Sequence, residues 1–223
     1  MNDTKPVIAV IGGTGALGTG LSHRWAKAGY PLVIGSRSAE RAVEAAAALE
    51  VPSGISKPRG MMNADAASVG EVVVMTVPFK SHAAILDEIA EAVRGKIVVD
   101  TTVPFVPPKV ARVQLPPDDS AAISAQKRLG NGTRVVAAFH NVAAHKLQID
   151  VEIDCDVLVF GESPEDRDVV IGLAEAARLR GLHGGPLANS AAAEAMTSVL
   201  IGINKRYKVD GAGLRITGIG ATG

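Results

Sequence analysis

Val7-Ile8-Ala9-Val10-Ile11-Gly12-Gly13-Thr14-Gly15-Ala16-Leu17-Gly18 begins a stretch that Pro31-Leu32-Val33-Ile34-Gly35-Ser36-Arg37 completes. Five apolar residues run into a Gly-x-Gly-x-x-Gly pattern at Gly13, Gly15 and Gly18. A helix-like run then ends at Gly29, and a second apolar run follows. Strand, glycine turn, helix and strand make one βαβ unit, the context in which this glycine spacing points to a dinucleotide. Each glycine has its own task. Gly13 permits the tight turn out of the strand, Gly15 lets the backbone approach a pyrophosphate, and Gly18 lets the helix lie close to the strand. The first helical turn aims unpaired N–H groups and a positive dipole end at the phosphates.

The end of the second strand selects between cofactors. An acidic residue there binds a ribose 2′-hydroxyl, whereas a nearby Arg accommodates a 2′-phosphate. Here Ser36 and Arg37 occupy the place, Arg41 follows one helical turn later, and Glu40 is the first carboxylate. A guanidinium fork with a hydroxyl matches a phosphate monoester and leaves a bare ribose unmatched. NADP(H) is therefore expected in preference to NAD(H).

Composition narrows the partners. The 223 residues are 47% hydrophobic, enough for one large core or one large and one small domain. With 23 basic against 23 acidic residues and no basic run, no nucleic-acid partner is expected. No apolar run approaches the roughly 18 residues of a membrane span. Lys5-Pro6 leads straight into the first strand without a signal-peptide pattern, so a cytoplasmic protein is expected. The lone Cys155 excludes an internal disulfide and reads as an inert core thiol. The five histidines lack metal-ligand spacing, and no metal is expected.

Helices are expected over 39–50, 63–69 (capped by Asn63), 81–94, 118–129, 163–180 and 189–208. Strands are expected near 60–62 and over 71–77, 96–100, 133–139 and 156–160. The alternation predicts an α/β fold, a Rossmann-type doubly wound parallel sheet with a small C-terminal α/β appendage. Residues 1–141 would form the dinucleotide-binding domain and 142–223 the smaller C-terminal domain. The apolar run from Ala191 to Ile203 makes a homodimer plausible.

In open parallel sheets ligands bind beyond the carboxyl ends of the strands. Those ends are Gly12, Ser36, Val77-Pro78-Phe79, Thr101-Thr102-Val103 and His140-Asn141. Thr-Val-Pro occurs twice, at 76–78 and 102–104, and offers a ring small apolar walls without a reactive side chain. His140 is the candidate for orienting a carbonyl or giving a proton; His82 could begin its helix beside the cofactor. There is no Tyr-x-x-x-Lys and no nucleophile elbow. A site so poor in acids and bases suits hydride transfer by positioning, to an acceptor whose ring delocalises the charge.

Gly12 to Leu21, Ile34-Gly35-Ser36-Arg37, Thr76-Val77-Pro78, Phe139-His140-Asn141 and Gly185-Pro186-Leu187-Ala188-Asn189-Ser190 together resemble the F420-dependent NADP oxidoreductases, in order over nearly the whole chain. The resemblance implies a small-molecule exchange: hydride passes between NADPH or NADP+ and the deazaflavin coenzyme F420, directly between nicotinamide C4 and deazaflavin C5. It implies that Thr14, Gly15, Ala16 and Leu17 hold the pyrophosphate and that Ser36, Arg37 and Arg41 bind the 2′-phosphate. Val77, Phe79, Val103 and Ala144 would line the nicotinamide side. His140, Asn141 and Val142 would border the deazaflavin, Leu214 would close over it, and Lys205, Arg206 and Lys208 would meet its anionic tail. His145 and the proline-dense segment 103–117 depart from the family pattern. One alternative is an NADP-dependent imine or ketone reductase of the pyrroline-carboxylate-reductase type, for whose larger helical second domain residues 141–223 are short. Another is a non-catalytic NADP sensor.

Overall fold

A computed structural model describes residues 5–219. Its strands are β1 (Ile8–Ile11), β2 (Leu32–Ser36), β3 (Arg59–Met62), β4 (Val72–Met75), β5 (Ile97–Asp100), β6 (Arg134–Ala137), β7 (Asp156–Phe160) and β8 (Arg180–Gly185). Its helices are α1 (Ala16–Lys27), α2 (Ala39–Ala47), α3 (Asn63–Val69), α4 (Phe79–Ile89), α5 (Ala121–Leu129), α6 (Ala144–Leu147), α7 (Pro164–Ala176) and α8 (Ser190–Tyr207). The strands form one sheet in the order β3-β2-β1-β4-β5-β6-β7-β8. All neighbours are parallel except β6 and β7, which meet antiparallel at Ala137 and Phe160. The order reverses between β1 and β4, and such a switch point opens a crevice above the strand ends.

β1, β4 and β5 are buried along their whole length, as expected of parallel strands covered on both faces. Side chains alternate between two core layers. Ile8, Val10, Val72 and Val74 pack with Leu21 and Trp25 of α1, whereas Ala9, Ile11, Val73 and Met75 pack with Ile85, Leu86 and Ile89 of α4. Ser38, Ser120 and Ser163 cap α2, α5 and α7 by accepting the N–H of Arg41, Ile123 and Asp166, each satisfying a donor that the helix leaves free.

Several expectations are corrected. The positive φ of the phosphate turn falls on Gly12, at +74°, and not on Gly13; a Cβ on Gly13 would instead lie 2.9 Å from Ile34 Cγ2. Asn63 does not cap α3, because Met62 is its N-cap; buried Asn63 accepts the Gly12 N–H through Oδ1 at 3.4 Å. The helix after Pro78 begins at Phe79 and ends at Ile89, short of 94. α7 stops at Ala176, not near Arg180, and Arg180-Gly181-Leu182-His183-Gly184-Gly185 is an edge strand. That stretch has no strand-like alternation, and its pairing with β7 decides it. At Gly184 a Cβ would lie 2.2 Å from the Phe160 ring.

β7 and β8 extend the same sheet, so residues after 141 do not build a separate one. Cross-links reinforce the continuity. Arg24 of α1 donates to the carbonyls of Lys146, Leu147, Ile149 and Val151, and Trp25 Nε1 donates to Leu173 O at 2.8 Å. Among the described residues no helix is long and apolar enough to cross a membrane.

Candidate active site

At the switch point lies a cleft of about 600 Å³, walled by Gly12, Thr14, Gly15 and Ala16 on one side and Ser36, Arg37 and Arg41 on the other. Gly15 is the N-cap of α1, with no side-chain cap and no acid in the first turn. This contrasts with the serine-capped helices and leaves the α1 N–H groups free for an anion. A Cβ on Gly15 would meet nothing closer than Gly12 O at 3.4 Å. Packing therefore leaves room at position 15, and what a side chain would obstruct is the space in front of the helix. Gly18 differs, since its Cβ would fall 2.7 Å from Gly13 Cα, which is the close helix–strand approach expected of it.

At the β2 end, Ser36 Oγ accepts the Ser38 N–H at 3.3 Å. Glu40 is turned away by a 2.7 Å bond from Ser38 Oγ, which also holds its carboxyl below the usual range. Arg37 and Arg41 have no ion-pair partner among the described residues. Two guanidiniums without a counter-ion, beside an uncapped helix start, fit a phosphorylated ribose and a pyrophosphate.

A second cleft of about 580 Å³ adjoins the first, and Thr76, Val77, Pro78 and Lys80 wall both. It gathers Leu17, Phe79, Val103, His140, Val142 and Ala144. Five strand ends and the α6 start therefore meet at one two-part crevice. Lys80 was not anticipated there.

Asn141 and Leu214 do not wall either of these two clefts. Asn141 Nδ2 donates to Ala193 O at 2.9 Å and Thr197 Oγ1 at 3.0 Å, so this side chain braces α8 and borders a smaller cavity behind the ring cleft. Leu214 lines neither cleft; its carbonyl accepts the Asp156 N–H at 2.7 Å, holding it against the start of β7. Lys205, Arg206 and Lys208 are exposed at the end of α8 and line neither cleft.

His140 is 6% exposed, and neither ring nitrogen has a hydrogen-bond partner. Burial pulls its pKa down to about 4, with the Asp100 carboxylate only partly opposing. The ring is thus neutral near pH 7, able to give one hydrogen bond and accept another. Preceding Phe139 takes φ +67°, an unfavourable conformation for an aromatic residue, and is buried edge-on against Trp25 at 6.0 Å. This bend sets His140 at the cleft wall.

Behind the wall is a buried polar cluster that no local pattern announces. His82 Nε2 meets Asp100 Oδ2 at 2.7 Å, and Asp100 Oδ1 accepts the Thr102 N–H at 2.9 Å. Burial by itself would lower the His82 pKa, but Asp100 outweighs it and raises it. Burial likewise works against the Asp100 charge, and His82 reverses the effect. Glu194 of α8 accepts the N–H of Ala121 at 2.7 Å and of Ala122 at 3.2 Å, at the start of α5. Burial pushes its pKa up to about 7 against those two bonds. A lone acid inside an otherwise apolar helix was the available signal for Glu194.

Comparison with known proteins supplies the family. A family model described as NADP oxidoreductase, coenzyme F420-dependent, matches residues 7–104. The chain is 39% identical over 224 residues to the F420-dependent NADP reductase of Methanocaldococcus jannaschii, covering 95% of this chain and 98% of that one. It is 40% identical over 220 residues to the protein of the same name from Methanothermobacter marburgensis, with the same coverage. Among solved structures, a protein of Arthrobacter sp. fb24 provisionally assigned as an F420-dependent NADP-reductase superposes with TM-score 0.76 at 23% identity, covering 94% of this chain and 98% of that one. A pyrroline-5-carboxylate reductase from Coxiella burnetii superposes with TM-score 0.57 at 14% identity, covering 81% of this chain and 59% of that longer one. These two likenesses show a shared fold. The sequence relationship over nearly the full length shows more: the chain belongs to the family of F420-dependent NADP reductases.

Proposed function

We propose that this protein is an oxidoreductase that transfers hydride between NADPH or NADP+ and coenzyme F420. One observation carries the reading: an anion-binding cleft with two unpaired guanidiniums runs directly into an apolar cleft. When bound, the nicotinamide and the deazaflavin supply the redox chemistry, as hydride donor and acceptor in either direction.

The protein's part is binding, orientation and exclusion of water. The free N–H groups of α1 and Thr14 would hold the pyrophosphate. Arg37, Arg41 and Ser36 would grip the 2′-phosphate and set the preference for NADP(H). Val77, Phe79, Val103 and Ala144 would flank the nicotinamide, with His140 and Val142 beside the second ring. A neutral His140 orients its neighbour by one hydrogen bond and carries no proton to spare near pH 7. Residues 142–223 contribute Val142, Ala144 and Thr197 to the apolar cleft, so both halves of the chain would complete the site. A homodimer belongs to the same proposal, supported by Val199 and Tyr207 left exposed on α8, and a cytoplasmic location is proposed with it.

Mixing protein, NADPH and F420 tests the reading, because turnover bleaches the oxidised deazaflavin absorbance. No change at any pH would reject it. A parallel screen of imines and ketones checks the pyrroline-carboxylate-reductase type, whose relative is much longer than this chain. His140→Ala should lower kcat by less than about 100-fold. A deeper loss, in the range of about 10²–10⁴ typical of general acid–base catalysis, would assign it proton transfer.

A further inference from the structure

A cavity of about 680 Å³ lies between α4 and α5, and hydride transfer by itself gives it no role. Three cations wall it, Lys80, Lys127 and Arg128, against one carboxylate, Asp118. His82, also in its wall, is matched by Asp100. Lys127 Nζ meets Asp118 Oδ1 at 2.5 Å, and Arg128 Nη1 meets Asp87 Oδ1 at 2.7 Å. Those pairs hold both cationic heads at the end of α5, where the helix dipole also favours them. Lys80 is different. It is exposed and has no ion-pair partner among the described residues. It stands in the first turn of α4, where a cation opposes the positive dipole end. The stability of its own helix therefore does not account for it.

This cavity shares Phe79 and Lys80 with the ring cleft, and Lys80 is the one Lys or Arg in the ring-cleft wall. A ligand seated there by its ring and carrying an anionic extension must leave past one of these walls. Charge separates the exits. The dinucleotide cleft has Arg37 and Arg41, which the phosphates of NADP(H) would occupy. A smaller cavity of about 320 Å³ shares His140, Val142 and Thr197 with the ring cleft, but its wall holds Asp210 and neither Lys nor Arg. Only the α4–α5 side combines a shared wall with cations that the dinucleotide does not claim.

We propose that the cavity between α4 and α5 binds the anionic tail of the coenzyme F420 whose deazaflavin occupies the ring cleft. Lys80 stands at the shared wall, with Lys127 and Arg128 beyond it. This rests on the proposed function and deepens it. The phosphodiester and carboxylates of the tail are the anions that these cations complement. Lys205, Arg206 and Lys208, at the end of α8, line neither the ring cleft nor this cavity.

The experiment compares F420 with its deazaflavin core, which ends at the ribityl alcohol and has no tail. Fluorescence titration gives both dissociation constants, and calorimetry gives that of NADP+. In wild type, rising salt should weaken F420 far more than the core. Lys127→Gln with Arg128→Gln should weaken F420 about three- to 30-fold, the range of two exposed ion pairs. The core and NADP+ should stay within about twofold, the latter showing that the variant folds. Lys80→Gln should likewise weaken F420 more than the core. An F420 constant unmoved by the double change overturns the proposal, as does an equal loss with the core. Equal salt dependence of the two ligands in wild type also overturns it, and needs no variant. So does a loss of F420 confined to a Lys205→Gln, Arg206→Gln, Lys208→Gln variant, which would return the tail to α8. If wild type binds no F420, the proposed function itself falls; F420 bound with constants that ignore this cavity rejects the tail site alone.

Discussion

Replacing Arg37 or Arg41 with Ala removes one guanidinium from a cleft rim where no carboxylate balances it. A charged hydrogen bond to phosphate contributes about 1.5–3 kcal/mol, so each change should raise the NADP+ dissociation constant about 10- to 100-fold. NAD+ affinity should stay within about twofold, because NAD+ has no 2′-phosphate for the arginine to grip. Titration of both dinucleotides against both variants checks this, and a parallel loss of NAD+ affinity would move the arginines from selectivity to general binding. His140 makes the opposite point about single residues. Burial that strips its charge suits a group that orients, and burial without a hydrogen-bond partner at either ring nitrogen sets it apart from ordinary buried polar groups.

Between elements, the Glu194 carboxylate ties α8 to the first turn of α5. Its folded pKa of about 7 lies above the ordinary 4.5. Through that window the folded chain binds the extra proton, so the stability tied to Glu194 is present at low pH and is lost as pH rises through about 7. His140 runs the other way: its folded value of about 4 lies below 6.5, so its contribution is lost as pH falls through that range. The two oppose each other in mildly acidic solution, and the wild-type profile alone cannot separate them. Subtracting a Glu194→Gln variant does, since Gln does not titrate. Denaturant unfolding should show the variant gaining on wild type by on the order of 2 kcal/mol between pH 5 and pH 8. A difference independent of pH would place the Glu194 titration elsewhere.

Across the whole molecule, the sheet does not end where the dinucleotide-binding strands do. Trp25, the one tryptophan, is fully buried between Phe139 and the α7 carbonyl of Leu173, and every acceptor of Arg24 lies in residues 146–151. A fragment of residues 1–141 would expose that tryptophan, strand the arginine and turn β6 into an open edge. It should lack a cooperative thermal transition, show red-shifted tryptophan emission and fail to bind NADP+. A sharp transition with NADP+ binding would establish the first part as an independent folding unit.

Local physics made much of this legible in advance. The βαβ unit, the uncapped start of α1 and the Ser36-Arg37-Arg41 rim depend on residues within one supersecondary unit, where periodicity and glycine spacing are sufficient. Continuous apolar runs marked β4 to β7 for the same reason. What tertiary structure alone decided involves contacts between distant residues. His82 and Asp100 are 18 apart, Glu194 and Ala121 are 73 apart, and Gly12 and Asn63 are 51 apart. β8 exists because β7 offers it an edge, and the Leu214 backbone is tied to the start of β7 through the Asp156 N–H. The glycine stretch by itself pointed to a dinucleotide, and Ser36, Arg37 and Arg41 at the end of the second strand to one carrying a 2′-phosphate. The buried polar cluster behind the second ring waited on the fold, because burial and hydrogen-bond pairing arise only when remote segments pack together.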